Sequence, residues 1–434
     1  MDKNKERIFI QIPSYRDPEL IPTIEDCLEK AKYPERLTFG ICWQHHEEDE
    51  WDNLDKYKDN PNFTILDIPW NESKGLCWAR SEVQKLWKGE EYTLQLDSHH
   101  RFLEDWDVEL IEMMRLTGSE KPLITSYAGM YDPKENVKLN HEPYKMVANR
   151  FTPSGTILFF PNAIDNHKEL TKPIPARFVS GHFYFTLGKH CEEYKYDPQL
   201  YFAGDEISLS IRSYTLGYDL FHPHKTVVWH EYTREGRTKH WDDFTSENQD
   251  KIENVWSEMD VLSKKRLRKM LKEEDNDSEI GIYGLGTVRT HKDYEVYAGI
   301  DFAKRILHPN TKKGVNPPTT LESDDSWREA KEITYNLTVD WKEQWDKIKS
   351  QTSCTCTFDF IYLGILNQSG DELFRQDLTT DVFLNGSLTS FNCYFESTTK
   401  PTKAVLWPHQ KDGEWLERVV IDLPTTPDGV TLEK

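Results

Sequence analysis

The chain has 434 residues, 37% of them hydrophobic, with 14 Trp, 20 Tyr and 20 Phe. That is enough apolar material for about two or three folded domains, and it excludes global disorder. A formal net charge of -21 excludes a non-specific nucleic-acid binder, which must neutralise phosphates with Lys and Arg; a nucleotide site stays open where a metal supplies local positive charge.

Met1-Asp2-Lys3-Asn4-Lys5-Glu6-Arg7 is charged, with no apolar signal segment, and no later apolar run is long enough to cross a bilayer. Seven cysteines stand scattered at 27, 42, 77, 191, 354, 356 and 393, an odd number that argues against a secreted disulfide framework. The Cys354-x-Cys356 pair reads as structural, its side chains sharing one face of a strand. A reduced, cytoplasmic protein without a membrane span is expected.

Ile8–Ile12 reads as a buried strand that ends at Pro13-Ser14-Tyr15-Arg16-Asp17-Pro18. A helix is expected over Leu20–Lys32, then strands over Leu37–Trp43 and Phe63–Ile68, a helix over Gly75–Trp87, and a strand over Tyr92–Leu96 that ends on Asp97. Strands separated by helices imply a mostly parallel α/β sheet covered on both faces, with ligands at the carboxyl ends of its strands. The middle, about 120 to 235, carries short strands such as Thr156–Phe160 and Phe183–Thr186, and a charged helix follows near Asp250–Glu274. Residues 321–354, with three Trp and many charges, read as a linker or edge segment. From 355 to 434 the pattern becomes short alternating strands: Thr357–Leu363, Leu378–Phe383, Ser390–Phe395, Ala404–Trp407 and Trp415–Asp422. Turns at Asn385-Gly386 and Asp412-Gly413 separate some of them, and a small all-β, sandwich-like module is expected.

Leu94-Gln95-Leu96-Asp97-Ser98-His99 delivers Asp97 and His99 at alternate positions, so both can face one point beyond the strand. A carboxylate with an imidazole suits a divalent ion such as Mg²⁺ or Mn²⁺; the same residues also fit a solvated turn. His230 closes another apolar strand and would complete a three-ligand set. Gly204-Asp205-Glu206 opens an amphipathic helix, where acids also simply favour the helix dipole. Ser14-Tyr15-Arg16-Asp17 offers a ring to stack on a base and a carboxylate for a ring NH or ribose hydroxyl, or else an Arg–Asp turn pair. Gly75 and Arg80 lie at a helix start suited to a diphosphate. Gly284-Leu285-Gly286-Thr287 with Arg289 reads better as a plain turn than as a phosphate cradle.

In order and spacing, Ile12 through Asp17, Lys74-Gly75 through Arg80, Leu96 through Phe102 and Ser180-Gly181-His182-Phe183 resemble the cytoplasmic polypeptide (hydroxyproline) N-acetylglucosaminyltransferase family. Phe202 through Ile207, Val228-Trp229-His230, Gly284 through Thr290 and Gly299 through Phe302 continue the resemblance, which covers roughly 7 to 305. It implies a GT-A fold over 1–320, Rossmann-like with a mostly parallel sheet, a UDP-sugar donor (UDP-GlcNAc first), and a divalent metal, Mn²⁺ or Mg²⁺. Asp97, His99 and His230 would be metal ligands, Asp97-x-His99 standing as a variant of the Asp-x-Asp device common in such enzymes. Asp205 and Glu206 would be the acidic pair beside acceptor and transferred sugar; Ser14, Tyr15, Arg16, Asp17, Gly75, Arg80, Ser98 and Arg289 would meet the donor. Retention of anomeric configuration would follow. The acceptor would be a protein hydroxyproline or a glycan, and the terminal module could recognise a glycan or pair two chains. The rival reading is a degenerate transferase fold used as a carbohydrate- or nucleotide-sugar-binding module.

Overall fold

The computed structural model describes residues 6–423 except 52, 153, 234–235, 272–279, 321–324, 330–332, 352–357, 380–389, 398 and 412–413. The Cys354-x-Cys356 pair and the Asn385-Gly386 and Asp412-Gly413 turns lie outside the described residues. The chain divides into two compact units, Met1–Asp324 and Asp325–Lys434.

The first unit is built on an eight-stranded sheet. Its strand order is Ile174–Pro175, Asp219–His222, Pro122–Thr125, Phe183–Leu187, Tyr92–Leu96, Ile8–Tyr15, Leu37–His45, Phe63–Pro69. Ile8–Tyr15 pairs in parallel with Leu37–His45 and with Tyr92–Leu96, and Leu37–His45 pairs in parallel with Phe63–Pro69. Seven of the eight residues of Ile8–Tyr15 are buried with no alternation, as a strand covered on both faces requires. Phe183–Leu187 runs antiparallel between Tyr92–Leu96 and Pro122–Thr125. This mixed α/β sheet, followed by C-terminal strands, is the α/β class with a C-terminal β unit expected from the sequence.

Element ends differ from the sequence expectation for local reasons. The first helix runs Leu20–Lys30 and stops because Ala31 is extended and the next two amides, of Lys32 and Tyr33, donate to the Asp107 carboxylate at 2.8 and 3.0 Å. The charged helix covers only Trp256–Met270, its first amide tied back to Phe244 O at 2.8 Å. The strand Tyr144–Phe151 was not foreseen; it forms a hairpin with Ile157–Ala163. A second small sheet pairs Val228–His230 with His100–Phe102, with His230 opposite His100. That pairing brings two distant segments to the end of the strand carrying Asp97.

The described residues of the second unit form β-strands and short helical turns. Ile333–Asp340 pairs with Ser390–Ser397, and a four-stranded sheet runs Glu372–Thr379, Phe358–Asn367, Pro401–Gln410, Val419–Asp422. The tryptophan-bearing stretch before it supplies the strand Ile333–Asp340 and the fully buried Trp341 to this core. Among the described residues no helix is long and apolar enough to cross a membrane.

Candidate active site

Asp97 follows Tyr92–Leu96 directly, so the central strand projects its carboxylate past the sheet edge. One ligand atom from each of Asp97, His99 and His230 lies within 4.8 Å of the others. Asp97 Oδ2 stands 3.8 Å from His99 Nε2 and 3.7 Å from His230 Nε2, too long for hydrogen bonds and suited to groups facing a common cation. His230 is 6% exposed, and neither ring nitrogen has a hydrogen-bond partner among the described residues. A buried imidazole orphaned on both sides is costly unless something absent from the polypeptide meets it. Burial, reinforced by the neighbouring His182 and His99, pushes its pKa well below 6.5 and keeps its lone pair available. Burial opposes charge on Asp97, but His230, Arg80 and His99 prevail and hold it well below the usual carboxylate range. One carboxylate and two imidazoles therefore fit a divalent metal ion that accepts nitrogen ligands.

Arg80 is the electrostatic centre of the floor below. It is 2% exposed and pairs with Asp97 Oδ1 at 2.9 Å, with Asp205, and with Gly181 O at 2.6 Å. A Cβ on Gly181 would sit 2.8 Å from Asp205 Oδ2 and 3.0 Å from Arg80, so only glycine permits this approach. Burial raises the Asp205 pKa, and Arg80 offsets part of that rise. Glu206 accepts from Gly181 N at 3.1 Å and from Tyr127 Oη at 2.8 Å. Burial nonetheless lifts its pKa from 4.5 to about 7, the two hydrogen bonds holding it down in part. Both acids open the helix Asp205–Thr215.

Two cavities meet at this cluster. A smaller one of about 160 Å³ is lined by Tyr15, Asp17, Gly75, Ser98, Arg237 and His240 among others. A larger one of about 730 Å³ takes in Arg80, Tyr127, His182, Asp205, Glu206 and Tyr232. Asp97 and His230 wall both.

A family model described as "Glycosyltransferase (GlcNAc)" matches residues 7–62 and 52–304. The chain belongs to this glycosyltransferase family. No curated protein sequence matches it. Among solved structures it is similar to GalNAc-T7 with UDP, GalNAc and Mn²⁺, at 15% identity over 61% of this chain and 48% of that one, with a TM-score of 0.46. The chain thus spans about half the length of that relative. It is also similar to S. aureus TarS 1-349 in complex with UDP-GlcNAc, at 12% identity over 69% of this chain and 72% of that one, with a TM-score of 0.40.

For this glycosyltransferase (GlcNAc) family member, most of the residues singled out in the sequence converge. Ser14 Oγ is buried with no partner among the described residues, but Ser14 does not line the smaller cavity, which its strand neighbours Pro13 and Tyr15 do. The Tyr15 ring lies 5.0 Å from that of His240 and its hydroxyl donates to Asp243 at 2.7 Å. Gly75, at φ +100°, precedes the helix Leu76–Gln84, and a Cβ there would reach 2.6 Å from the Tyr201 ring. Ser98 Oγ donates to Asp17 Oδ2 at 2.7 Å. Arg16 is spent on Asp49 and Asp243, at 2.8 and 2.9 Å. Arg80, read as a diphosphate contact, is committed to buried carboxylates instead.

Arg289 is not brought to the site. Its guanidinium pairs with Asp219 and donates to Tyr214 O and Tyr218 O at 3.3 and 2.8 Å. The Tyr214 carbonyl lies at the far end of the helix Asp205–Thr215, about 14 Å along its axis from Asp205, and Tyr218 lies beyond that end. The sequence reading missed Arg237, Tyr127 and Tyr232 as site residues and gave His182 no role. His182 packs 4.3 Å from His230, ring to ring, and burial lowers its pKa to about 3. The Ser180-Gly181-His182 segment was a visible signal; the tyrosines and Arg237 carry none without the fold.

Proposed function

We propose that this chain transfers a sugar, GlcNAc first, from a UDP-sugar to a hydroxyl acceptor, with retention of configuration and with help from a divalent metal. The observation that carries the reading is the orphaned His230 facing Asp97 and His99 where two cavities join. In this reading the smaller cavity takes the nucleoside, with Tyr15 and His240 offering ring faces. The larger cavity takes the sugar and the acceptor. Asp97, His99 and His230 would hold the metal, Mn²⁺ or Mg²⁺, which when bound supplies charge neutralisation for the departing diphosphate.

The chain's own residues supply the rest. Arg80 pins Asp205 and so weakens it as a nucleophile, which favours attack from the face the leaving group departs rather than a double displacement through Asp205. Asp205 keeps a fixed negative charge near the sugar, suited to an oxocarbenium-like transition state. Glu206, poised between neutral and charged near pH 7, orients the acceptor hydroxyl together with Tyr127. The acceptor class is a protein hydroxyl or a glycan hydroxyl.

The test is UDP release from a panel of UDP-sugars, with and without Mn²⁺ or Mg²⁺ and without acceptor. Metal-dependent release from one sugar, abolished in Asp97→Ala with its fold intact, supports the assignment. Release that ignores both metal and Asp97→Ala refutes it.

A further inference from the structure

Asp17 sits where the strand Ile8–Tyr15 turns into the helix Leu20–Lys30, and it is 3% exposed. Its Oδ2 accepts from His99 Nδ1 at 2.7 Å, from Ser98 Oγ at 2.7 Å and from Arg237 at 2.9 Å. Its Oδ1 accepts from Glu19 N at 3.0 Å, and its backbone carbonyl accepts from Leu20 N at 3.2 Å. A carboxylate has about four acceptor sites, and protein donors occupy them here. That leaves little capacity for the ribose or uracil contact that the Ser14–Asp17 motif suggested.

We infer that Asp17 is a positioning residue for His99, fixing the tautomer and ring plane that aim Nε2 at Asp97 and His230. A carboxylate can only accept, so the contact with Asp17 calls for the proton on His99 Nδ1, a nitrogen that Arg237 Nη1 also touches, and leaves the Nε2 lone pair facing the cluster, 3.8 Å from Asp97 Oδ2. Rigidity comes from the scaffold: Oδ1 is bound to the start of the helix, so the ring is held against the sheet rather than a loose turn. Arg237 extends the device. It pairs with Asp17 and, at 3.2 Å, with Glu231, the residue after His230. One buried oxygen thus links the segment carrying His99 to the segment carrying His230.

This inference rests on reading Asp97, His99 and His230 as a metal site, and the experiment separates the two. Mn²⁺ affinity of the UDP-free full chain is measured by electron paramagnetic resonance of free Mn²⁺ for wild type, Asp97→Ala, Asp17→Ala and Asp17→Asn. The visible ligand-field bands of Co²⁺ bound in its place report on the coordination geometry. Asp17→Asn keeps volume and stands in if Asp17→Ala fails to fold. Asp17→Ala is expected to weaken Mn²⁺ binding by about 10–100-fold, and Asp17→Asn by less, with shifted Co²⁺ bands in both. Wild-type Mn²⁺ affinity in both Asp17 variants, with binding lost in Asp97→Ala, overturns the role of Asp17 and leaves the metal site standing. Lost metal-free UDP affinity with Mn²⁺ affinity unchanged makes Asp17 a nucleotide contact and overturns it too. No Mn²⁺ binding by wild type overturns both readings.

Discussion

Replacing Glu206 by Gln removes a group whose proton affinity differs between the folded and unfolded chain, and the sign of the effect can be worked through. The folded pKa of Glu206 is raised from 4.5 to about 7, first by burial. Between those values the folded state binds more protons than the unfolded state, so wild-type stability falls as pH rises through that window. Each tenfold change in proton affinity is worth ~1.4 kcal/mol, so holding Glu206 ionised costs the fold about 3 kcal/mol, an upper bound for a side chain that is not wholly buried. Glu206→Gln keeps an oxygen for the Gly181 amide or the Tyr127 hydroxyl but carries no charge. The variant should match wild type near pH 5 and exceed it by up to about 3 kcal/mol above pH 8. Urea unfolding of both proteins across pH 5–9 isolates the group, because every other titration cancels in the difference. Parallel stability curves across that range would refute the burial argument.

Other outcomes follow from the same geometry. Arg80→Met leaves Asp205 and Asp97 without their buried cation and should cost about 3–5 kcal/mol at pH 8. The loss should shrink at pH 5, where Asp205 can take up a proton; an equal loss at both pH values in urea melts would contradict this. Arg289→Ala removes a partly exposed ion pair with Asp219, so it should cost about 1 kcal/mol or less and leave the KM for the UDP-sugar at its wild-type value. A raised KM with unchanged kcat would return Arg289 to the donor site.

Much of the Asp97, His99 and His230 cluster was legible because its signal is local. Asp97 and His99 alternate past the end of an apolar strand, and strand ends of an α/β sheet are where ligands bind. The alternation of strands and helices over the first 100 residues was equally plain, since buried parallel strands are continuous apolar runs flanked by turn residues. The helix ends were less so: Lys32 and Tyr33 leave the helix because Asp107, more than 70 residues away in sequence, takes their amides. No local pattern records that competition.

The sequence by itself determined the α/β class, the ligand types and the order of motifs, because these follow from short-range periodicity and side-chain chemistry. The tertiary structure alone decided which charges are available. Asp17, Arg16 and Arg80 look like ligand contacts in a motif, yet folding surrounds each with partners drawn from across the chain: His99 and Arg237, Asp49 and Asp243, Asp97 and Asp205. His230 is the opposite case, an ordinary strand-end histidine in sequence whose two nitrogens have no hydrogen-bond partner among the described residues. Pairing or orphaning a polar group depends on neighbours distant in sequence, and in a buried site that pairing governs the chemistry left for a ligand.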